Sequence, residues 1–421
     1  MSTYLVEGGF PLKGSVAVHG AKNSVLPILA AALLAPGECV IHNCPDLSDV
    51  EASLAILRHL GCSARREGTS VIVDASAPTR WDVPDRLMRE MRSSVIFLGA
   101  VLGRMGRASL CAPGGCELGP RPIDLHLAAI RALGGTITEE PGGMLCQGAL
   151  HGADIVLSLP SVGATENAML AAVCAKGTTT ITNAAREPEI VDLQNFLITL
   201  GARVRGAGSS VITIEGGAPL HGGSYTVMAD RIVACTYLAA AAAAGGEVEV
   251  TGVDWRTLST VTAVLTEAGC AVRSQPGKIA LRRDRPLKGV RPVRTAPYPG
   301  FPTDAQAPVM AALCKGSGCT VFVENMFESR YRHVDELIRM GADIRVEGRV
   351  AVVYGVPRLH GAQVRSSDLR GGAALVVAAL GAEGESRIED LHHIDRGYQC
   401  LEGDLAALGA RIRRVAEDRK T

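Results

Sequence analysis

Two kinds of apolar run alternate along this chain. The first is apolar at nearly every position, as in LPILAAALLA (26–35), CTYLAAAAAA (235–244) and ALVVAAL (374–380). A helix that is apolar on all sides is expected in a core. The second is a mixed helical stretch running into glycine, as in ILRHLGC (56–62), AIRALGG (129–135) and FLITLGA (196–202). After each of these comes a strand–turn–strand pattern, for example ARVRGAGSSVITIEG (202–216).

Glycine punctuates both kinds at a fixed period. One series, Gly37, Gly106, Gly177, Gly246, Gly316 and Gly384, follows the apolar helices at intervals of 68 to 71 residues. The other, Gly61, Gly134, Gly201, Gly269, Gly341 and Gly409, follows the mixed helices. Both fit helix C-caps, where the left-handed conformation favours glycine. Each unit of about 70 residues therefore reads helix, strand, helix, strand, strand, and there are six. The period is too long for the common solenoids. An α/β protein of 421 residues with two domains is the expectation.

Composition narrows the partners. Forty-three Lys and Arg balance 43 Asp and Glu, which argues against nucleic acid or an anionic membrane. Aromatics at 4% are too few for base-stacking platforms. The apolar run Val25 to Ala35 is interrupted by Pro27 and is too short to span a bilayer. MSTYLVEGGF does not read as a secretory signal. Twelve cysteines fall irregularly, mostly inside apolar elements (Cys174, Cys235, Cys314) and with no CxxC pair. Buried, reduced thiols of a cytoplasmic protein are expected, with neither a disulfide framework nor a metal site.

Charge gathers where the apolar helices begin. In the first half these starts carry Lys22-Asn23 and Arg92; in the second half they carry Asp230, Asp304 and Asp368. An acidic residue there is ordinary capping. A cation there faces the positive end of the helix dipole, which is unfavourable unless an anion sits between them. The first-half starts therefore read as anion-binding and the second-half starts mainly as caps, with solvated side chains as the plain alternative. One further loop, Pro113-Gly114-Gly115-Cys116-Glu117-Leu118-Gly119-Pro120-Arg121-Pro122-Ile123-Asp124-Leu125-His126, sets a cysteine among glycines and prolines, with an arginine five residues on. It is expected to run over the surface, either as a chance thiol or as one whose thiolate the arginine favours.

That loop resembles the cysteine loop of the enolpyruvyl transferase family, in its UDP-N-acetylglucosamine branch, and other segments carry the same resemblance in order. Gly20-Ala21-Lys22-Asn23-Ser24 is similar to the signature at the first lobe crossing, and Met91-Arg92-Ser93-Ser94 to the arginine segment for the nucleotide-sugar. The tryptophan usual after the latter is absent, with Ile96 near its place. Leu159-Pro160-Ser161-Val162-Gly163 resembles the nucleotide loop, and Ala185-Arg186-Glu187-Pro188 another cleft segment. Pro299-Gly300-Phe301-Pro302-Thr303-Asp304, Glu328-Ser329-Arg330, Asp368-Leu369-Arg370 and Asp395-Arg396-Gly397-Tyr398 resemble second-lobe segments; Tyr298 stands where well-known members have histidine.

The resemblance implies two lobes of inside-out α/β barrel built from six βαβαββ-type repeats. Residues 22–229 would form one lobe, with a lid loop at about 112–122 hinged at Gly114-Gly115. Residues 1–21 plus 230–421 would form the other, the lobes closing on binding. It implies transfer of the enolpyruvyl group of phosphoenolpyruvate to the 3-hydroxyl of UDP-N-acetylglucosamine, with release of phosphate. This is the first committed step of bacterial peptidoglycan synthesis, and it requires no cofactor. Cys116, Asp304 and Lys22 are the expected catalytic residues, Cys116 to donate the proton and Asp304 to act as base, and Lys22, Asn23, Arg121 and Arg396 are expected to bind phosphoenolpyruvate. Asn23, Arg92, Arg121, Pro122, Ile123, Asp124, Leu125, Ser161, Val162, Gly163, Asp304, Met326 and Arg330 are the expected contacts of the nucleotide-sugar. Glu187 and Arg370 are further cleft candidates. A cytoplasmic monomer or weak homo-oligomer is expected. The rival readings are transfer to shikimate-3-phosphate and a non-catalytic nucleotide-sugar-binding paralogue.

Overall fold

The computed structural model describes residues 2–111 and 123–416. Outside the undescribed loop, the chain divides into a first unit, Gly20 to Met228, and a second, made of residues up to His19 and from Ala229 onward. The first contains α1 (Lys22–Ala32), α2 (Ser48–His59), α3 (Asp85–Glu90), α4 (Phe97–Met105), α5 (Asp124–Ala132), α6 (Val162–Cys174) and α7 (Pro188–Thr199). The second contains α8 (Arg231–Ala244), α9 (Ser259–Glu267), α10 (Thr303–Leu313), α11 (Val334–Arg339), α12 (Leu369–Gly381) and α13 (Leu401–Ala407).

The strands form six four-stranded sheets of one pattern, three in each unit. A short strand runs parallel to the strand after the apolar helix, and in five of the six a closing hairpin adds antiparallel. In one sheet the order is Asp154–Val156, Gly177–Thr182, Val211–Gly216, Arg203–Arg205. Two sheets of the second unit take strands from the start of the chain. Ser2–Glu7 lies between Glu385–Glu389 and Arg411–Ala416, antiparallel to both, and Leu12–Ala17 runs parallel to Gly246–Thr251. In the first unit, Ser224–Thr226 completes the sheet of Glu38–His42.

The apolar helices lie inside and the sheets outside, which is the inside-out arrangement that the family resemblance implied. In the second unit α8, α10 and α12 pack on one another, each with a sheet against it. Every residue of α8 is buried, which explains why its sequence has no polar face. Alanine permits the close approach: a Cβ on Gly381 of α12 would stand 2.9 Å from the Ala243 carbonyl oxygen of α8.

The second glycine series behaves as read: all six have φ between +90° and +109°, one residue past the C-caps of their helices. The first series does not. Only Gly106 caps its helix, with φ +71°; Gly316 is not left-handed, and Gly318 is instead. Gly177 and Gly246 open strands, and Gly37 and Gly384 stand one residue before them. At Gly246 the neighbouring strand comes so close that a Cβ would lie 2.0 Å from the Leu12 carbonyl oxygen.

The thiols also depart from expectation in part. Cys235 and Cys314 are buried, and burial pushes both up to about 12, which makes them unreactive. Cys174 is only half-buried, and Cys319 and Cys400 are exposed. No described helix is long and apolar enough to cross a membrane.

Candidate active site

In the first unit, α1 begins without a side-chain cap, after an extended Ala21. Its first turn is held instead by carboxylates from two other helices. Lys22 is buried, its Nζ 2.7 Å from Oδ2 of Asp49 in the first turn of α2. Ser24 donates its hydroxyl to Asp192 of α7. Asp192 also accepts from the Tyr225 hydroxyl at 2.6 Å and the Met228 amide at 3.1 Å. Burial pushes the Asp192 carboxyl up, and these donors oppose it. The Ala21 amide donates to the Met228 carbonyl at 2.7 Å, so the start of α1 is also tied to the returning chain. Between the two anchored side chains, Asn23 is exposed.

A second cluster forms where α5 and α6 begin. Ser161 is the N-cap of α6, but among the described residues its Oγ accepts only from Ala164, at 3.4 Å, a long and weak bond. Ile123 precedes α5, and Asp124 and Leu125 open it. The next residue, His126, places its ring edge against Gly163: a Cβ on that glycine would come within 2.9 Å of Cε1 and 3.2 Å of Nε2. Arg92 opens a 3-10 helix, Arg92–Ile96, ahead of α4. Glu187 is the residue before α7, half-buried and not capping by its side chain. Nearby Glu166 of α6 is pushed well above the ordinary carboxylate range, by burial first and then by Glu189 and Glu187.

In the second unit Asp230 and Asp368 are caps. Asp230 accepts from the amides of Ile232 and Val233 at 2.8 and 3.1 Å, and Asp368 from those of Arg370 and Gly371, both at 3.0 Å. Asp304 differs. It is the second residue of α10, which has no side-chain cap. Its Oδ1 lies 2.9 Å from Nη2 of Arg330 and its Oδ2 3.3 Å from Nη2 of Arg370. Both guanidinium side chains are at most 3% exposed, whereas the Asp304 side chain is 28% exposed. Two buried cations thus present one reachable carboxylate. Burial alone would lower the Arg370 pKa, but Tyr398, Asp304 and Asp230 hold it above its ordinary value.

A fully buried Glu324 builds the neighbouring turn. Its carboxylate accepts from the Thr295 and Thr303 hydroxyls at 3.0 and 3.1 Å, and from the Met326 and Phe327 amides at 2.8 and 3.1 Å. Met326 is left partly exposed beside the start of α10. Arg396 ends the 3-10 helix Leu391–Arg396, half-buried, two residues before a buried Tyr398 whose hydroxyl bonds Thr236 of α8 at 2.8 Å.

Of the expected site residues, Asp304, Arg330 and Arg370 are therefore in direct contact. Ile123, Asp124 and Leu125 gather with Ser161, Val162 and Gly163 at one pair of helix starts. Lys22 and Asn23 belong to the first unit and Arg396 to the second. Cys116, Arg121 and Pro122 lie outside the described residues. Because Cys319 and Cys400 are exposed, exposure by itself does not single out Cys116. Reading the sequence missed Asp49, Glu324 and His126. The partners of Asp49 and His126, and the threonines that Glu324 accepts from, are remote in the chain, and a lone histidine or acid carries no signal of its own.

The family described as EPSP synthase (3-phosphoshikimate 1-carboxyvinyltransferase) matches residues 6–405. The chain is 49% identical over 416 residues to UDP-N-acetylglucosamine 1-carboxyvinyltransferase 2 of Caldanaerobacter subterraneus subsp. tengcongensis, covering 99% of this chain and 100% of that protein. It is 50% identical over 419 residues to UDP-N-acetylglucosamine 1-carboxyvinyltransferase 1 of Symbiobacterium thermophilum, covering 98% and 95%. Among solved structures, the enolpyruvyl transferase NikO from Streptomyces tendae superposes with a TM-score of 0.89 at 27% identity, over 99% of each chain. EPSP synthase from Acinetobacter baumannii shares the fold, at TM-score 0.75 and 20% identity over 99% of this chain and 100% of that one. With its six sheets, its buried helices and relatives of near-equal length, the chain belongs to the EPSP synthase family of enolpyruvyl (1-carboxyvinyl) transferases.

Proposed function

We propose that this enzyme transfers the enolpyruvyl group of phosphoenolpyruvate to the 3-hydroxyl of UDP-N-acetylglucosamine, releasing inorganic phosphate. The observation that carries the reading is the state of Asp304. It stands at the start of a buried helix whose N-cap residue, Pro302, offers no side-chain cap, and it is held by two buried arginines with its carboxylate partly open to solvent. Such a group is fixed in direction and can receive a proton from a bound hydroxyl. The full-length relatives, named for UDP-N-acetylglucosamine, favour that acceptor over shikimate-3-phosphate.

The chemistry is addition followed by elimination. The sugar oxygen bonds to C2 of phosphoenolpyruvate while its proton passes to Asp304, and C3 gains a proton from the Cys116 thiol. Loss of a proton from C3 then expels phosphate and restores the double bond. Phosphoenolpyruvate carries both a phosphate and a carboxylate, which calls for several cations, and Lys22, Arg121 and Arg396 are assigned to it. Asn23 is assigned to both substrates. Asp49 keeps Lys22 oriented, because a lysine buried against an aspartate has little rotamer freedom. The nucleotide-sugar is assigned to Arg92, the segment from Arg121 to Leu125, Ser161 to Gly163, Met326 and Arg330.

The test is phosphate release from phosphoenolpyruvate with each acceptor in turn. Turnover is expected with UDP-N-acetylglucosamine and not with shikimate-3-phosphate. The reverse result would overturn the reading, and turnover with neither would leave only the binding paralogue.

A further inference from the structure

We propose that Asn167 is a positioning residue that fixes His126 as its Nε2–H tautomer. His126 would thereby become a hydrogen-bond donor to the diphosphate of the nucleotide-sugar at the start of α6. The inference rests on the nucleotide-sugar reading of that site and adds two residues to it.

The orientation of the Asn167 amide follows from its partners. Oδ1 accepts from the Gly99 amide at 2.7 Å, and Nδ2 donates to the Val95 carbonyl at 3.1 Å. A main-chain N–H can only donate and a carbonyl can only accept. Turning the amide over would therefore break both bonds. The second hydrogen on Nδ2 then points at Nδ1 of His126, 2.7 Å away. Nδ1 must be the acceptor, so in a neutral ring the proton sits on Nε2. Burial keeps the ring neutral by pushing its pKa down to about 4, against a small opposing effect of Asp124. Asn167 itself is fully buried and all its hydrogen-bonding capacity toward these groups is used.

The resulting N–H is unspent and has a direction. His126 is 8% exposed, and among the described residues its Nε2 has no hydrogen-bond partner. The ring edge bearing Nε2 and Cε1 lies against Gly163, where any side chain would collide with it. Among the described residues the Ser161 hydroxyl reaches only Ala164, so the amides at the very start of the helix are not served by that side chain. A helix start with its dipole, open amides and a neutral N–H donor suits an anion that bridges several donors, as a diphosphate does. A neutral donor also lets product leave more readily than a fixed extra charge would.

Two measurements on the full-length enzyme test this. In a long-range proton–nitrogen spectrum of histidine-labelled protein, His126 should show a protonated Nε2 and an unprotonated Nδ1; the signal is assigned by its loss in His126→Gln. Asn167→Asp should reverse the pattern, putting the proton on Nδ1 and leaving Nε2 bare, because a carboxylate accepts where the amide donated. In calorimetry, His126→Gln keeps an N–H near the Nε2 position and should bind UDP-N-acetylglucosamine within about threefold of the parent. His126→Asn places its N–H at the Nδ1 position only, and should bind about ten- to a hundredfold more weakly, the usual loss for one hydrogen bond to a charged group. Uridine, which lacks phosphate, should bind all three equally. Asn167→Asp should raise KM for the nucleotide-sugar about tenfold and leave KM for phosphoenolpyruvate and kcat nearly unchanged. If Asn167→Asp melts early, the His126 pair still decides. A wild-type ring protonated on Nδ1, or equal binding by His126→Gln and His126→Asn, would overturn the proposal alone. Failure of the parent to bind UDP-N-acetylglucosamine would sink the functional reading and, with it, the ligand named here.

Discussion

The two units are built on one repeat yet treat their buried helix starts differently. In the second unit, α8 and α12 are closed by the side chains of Asp230 and Asp368. In the first, α1 has no side-chain cap and α6 has only the long Ser161 bond. Capped amides are spent on structure, whereas open ones remain available to an anion. The first unit is thus the half suited to phosphate groups. In the proposed reading the second supplies an acid, Asp304, on α10, whose N-cap residue offers no side-chain cap and whose acid pairs with two arginines.

The sharpest way to break this contrast is at Asp304. Asp304→Asn retains shape and a hydrogen bond to the sugar, but it cannot take up a proton at neutral pH. We expect kcat to fall by about two to four orders of magnitude, with UDP-N-acetylglucosamine affinity, by calorimetry, changed less than about tenfold. Stability should fall by about 1.5–3 kcal/mol, since Arg330 and Arg370 lose a charged acceptor. Near wild-type turnover would show that Asp304 is not the base.

The next largest effect belongs to the first unit. Lys22→Met strands the Asp49 carboxylate beside an apolar chain and should cost about 3–5 kcal/mol in urea unfolding. Adding Asp49→Leu should restore most of that stability and none of the turnover. Recovery of activity in the double variant would mean that Lys22 serves the fold alone.

Smaller again are the caps. Asp230→Ala should lose about 0.5–2 kcal/mol. Ser161→Ala should cost only a few tenths, because its capping bond is long, yet it should raise KM for the nucleotide-sugar. Equal stability losses at both positions would erase the distinction between the units.

The smallest effect concerns Glu166. Its folded pKa is raised, so the folded state holds a proton that the unfolded state gives up above about pH 4.3. Stability therefore falls as pH rises from there toward the folded pKa. Glu166→Gln should melt a few degrees above the parent at pH 8, and the gap should close near pH 4. A parent as stable at pH 8 as the variant would mean that the carboxyl is fully compensated.

What the sequence revealed, and what it hid, follows from distance along the chain. The buried helices were legible because all-round apolarity is local, and the second glycine series because a left-handed C′ position is local too. The first series misled because it mixes a C-cap, Gly106, with glycines at strand starts, of which Gly246 answers to the neighbouring strand at Leu12. Lys22, Asp304, Arg330 and Arg370 were nameable only through family motifs. That Asp304 is held by arginines depends on residues 26 and 66 positions away. Asp49, Glu324, and the pairing of Asn167 with His126 across 41 positions had no local signature at all.

The strand Ser2–Glu7 has a consequence for how this protein is made. It pairs with Arg411–Ala416 from Ser2 opposite Ala416 to Glu7 opposite Arg411, so a strand that precedes the first unit in the sequence meets one that follows α13. The first unit draws its three sheets from one unbroken stretch and can close as soon as Ser224–Thr226 is out. The second unit must wait, and its waiting strand, with Tyr4, Leu5 and Val6, is a natural partner for stray strands of other nascent chains. A circularly permuted gene, joining Ala416 to Ser2 through a short linker and opening in an exposed turn, would deliver that strand beside its partners and shorten the vulnerable interval.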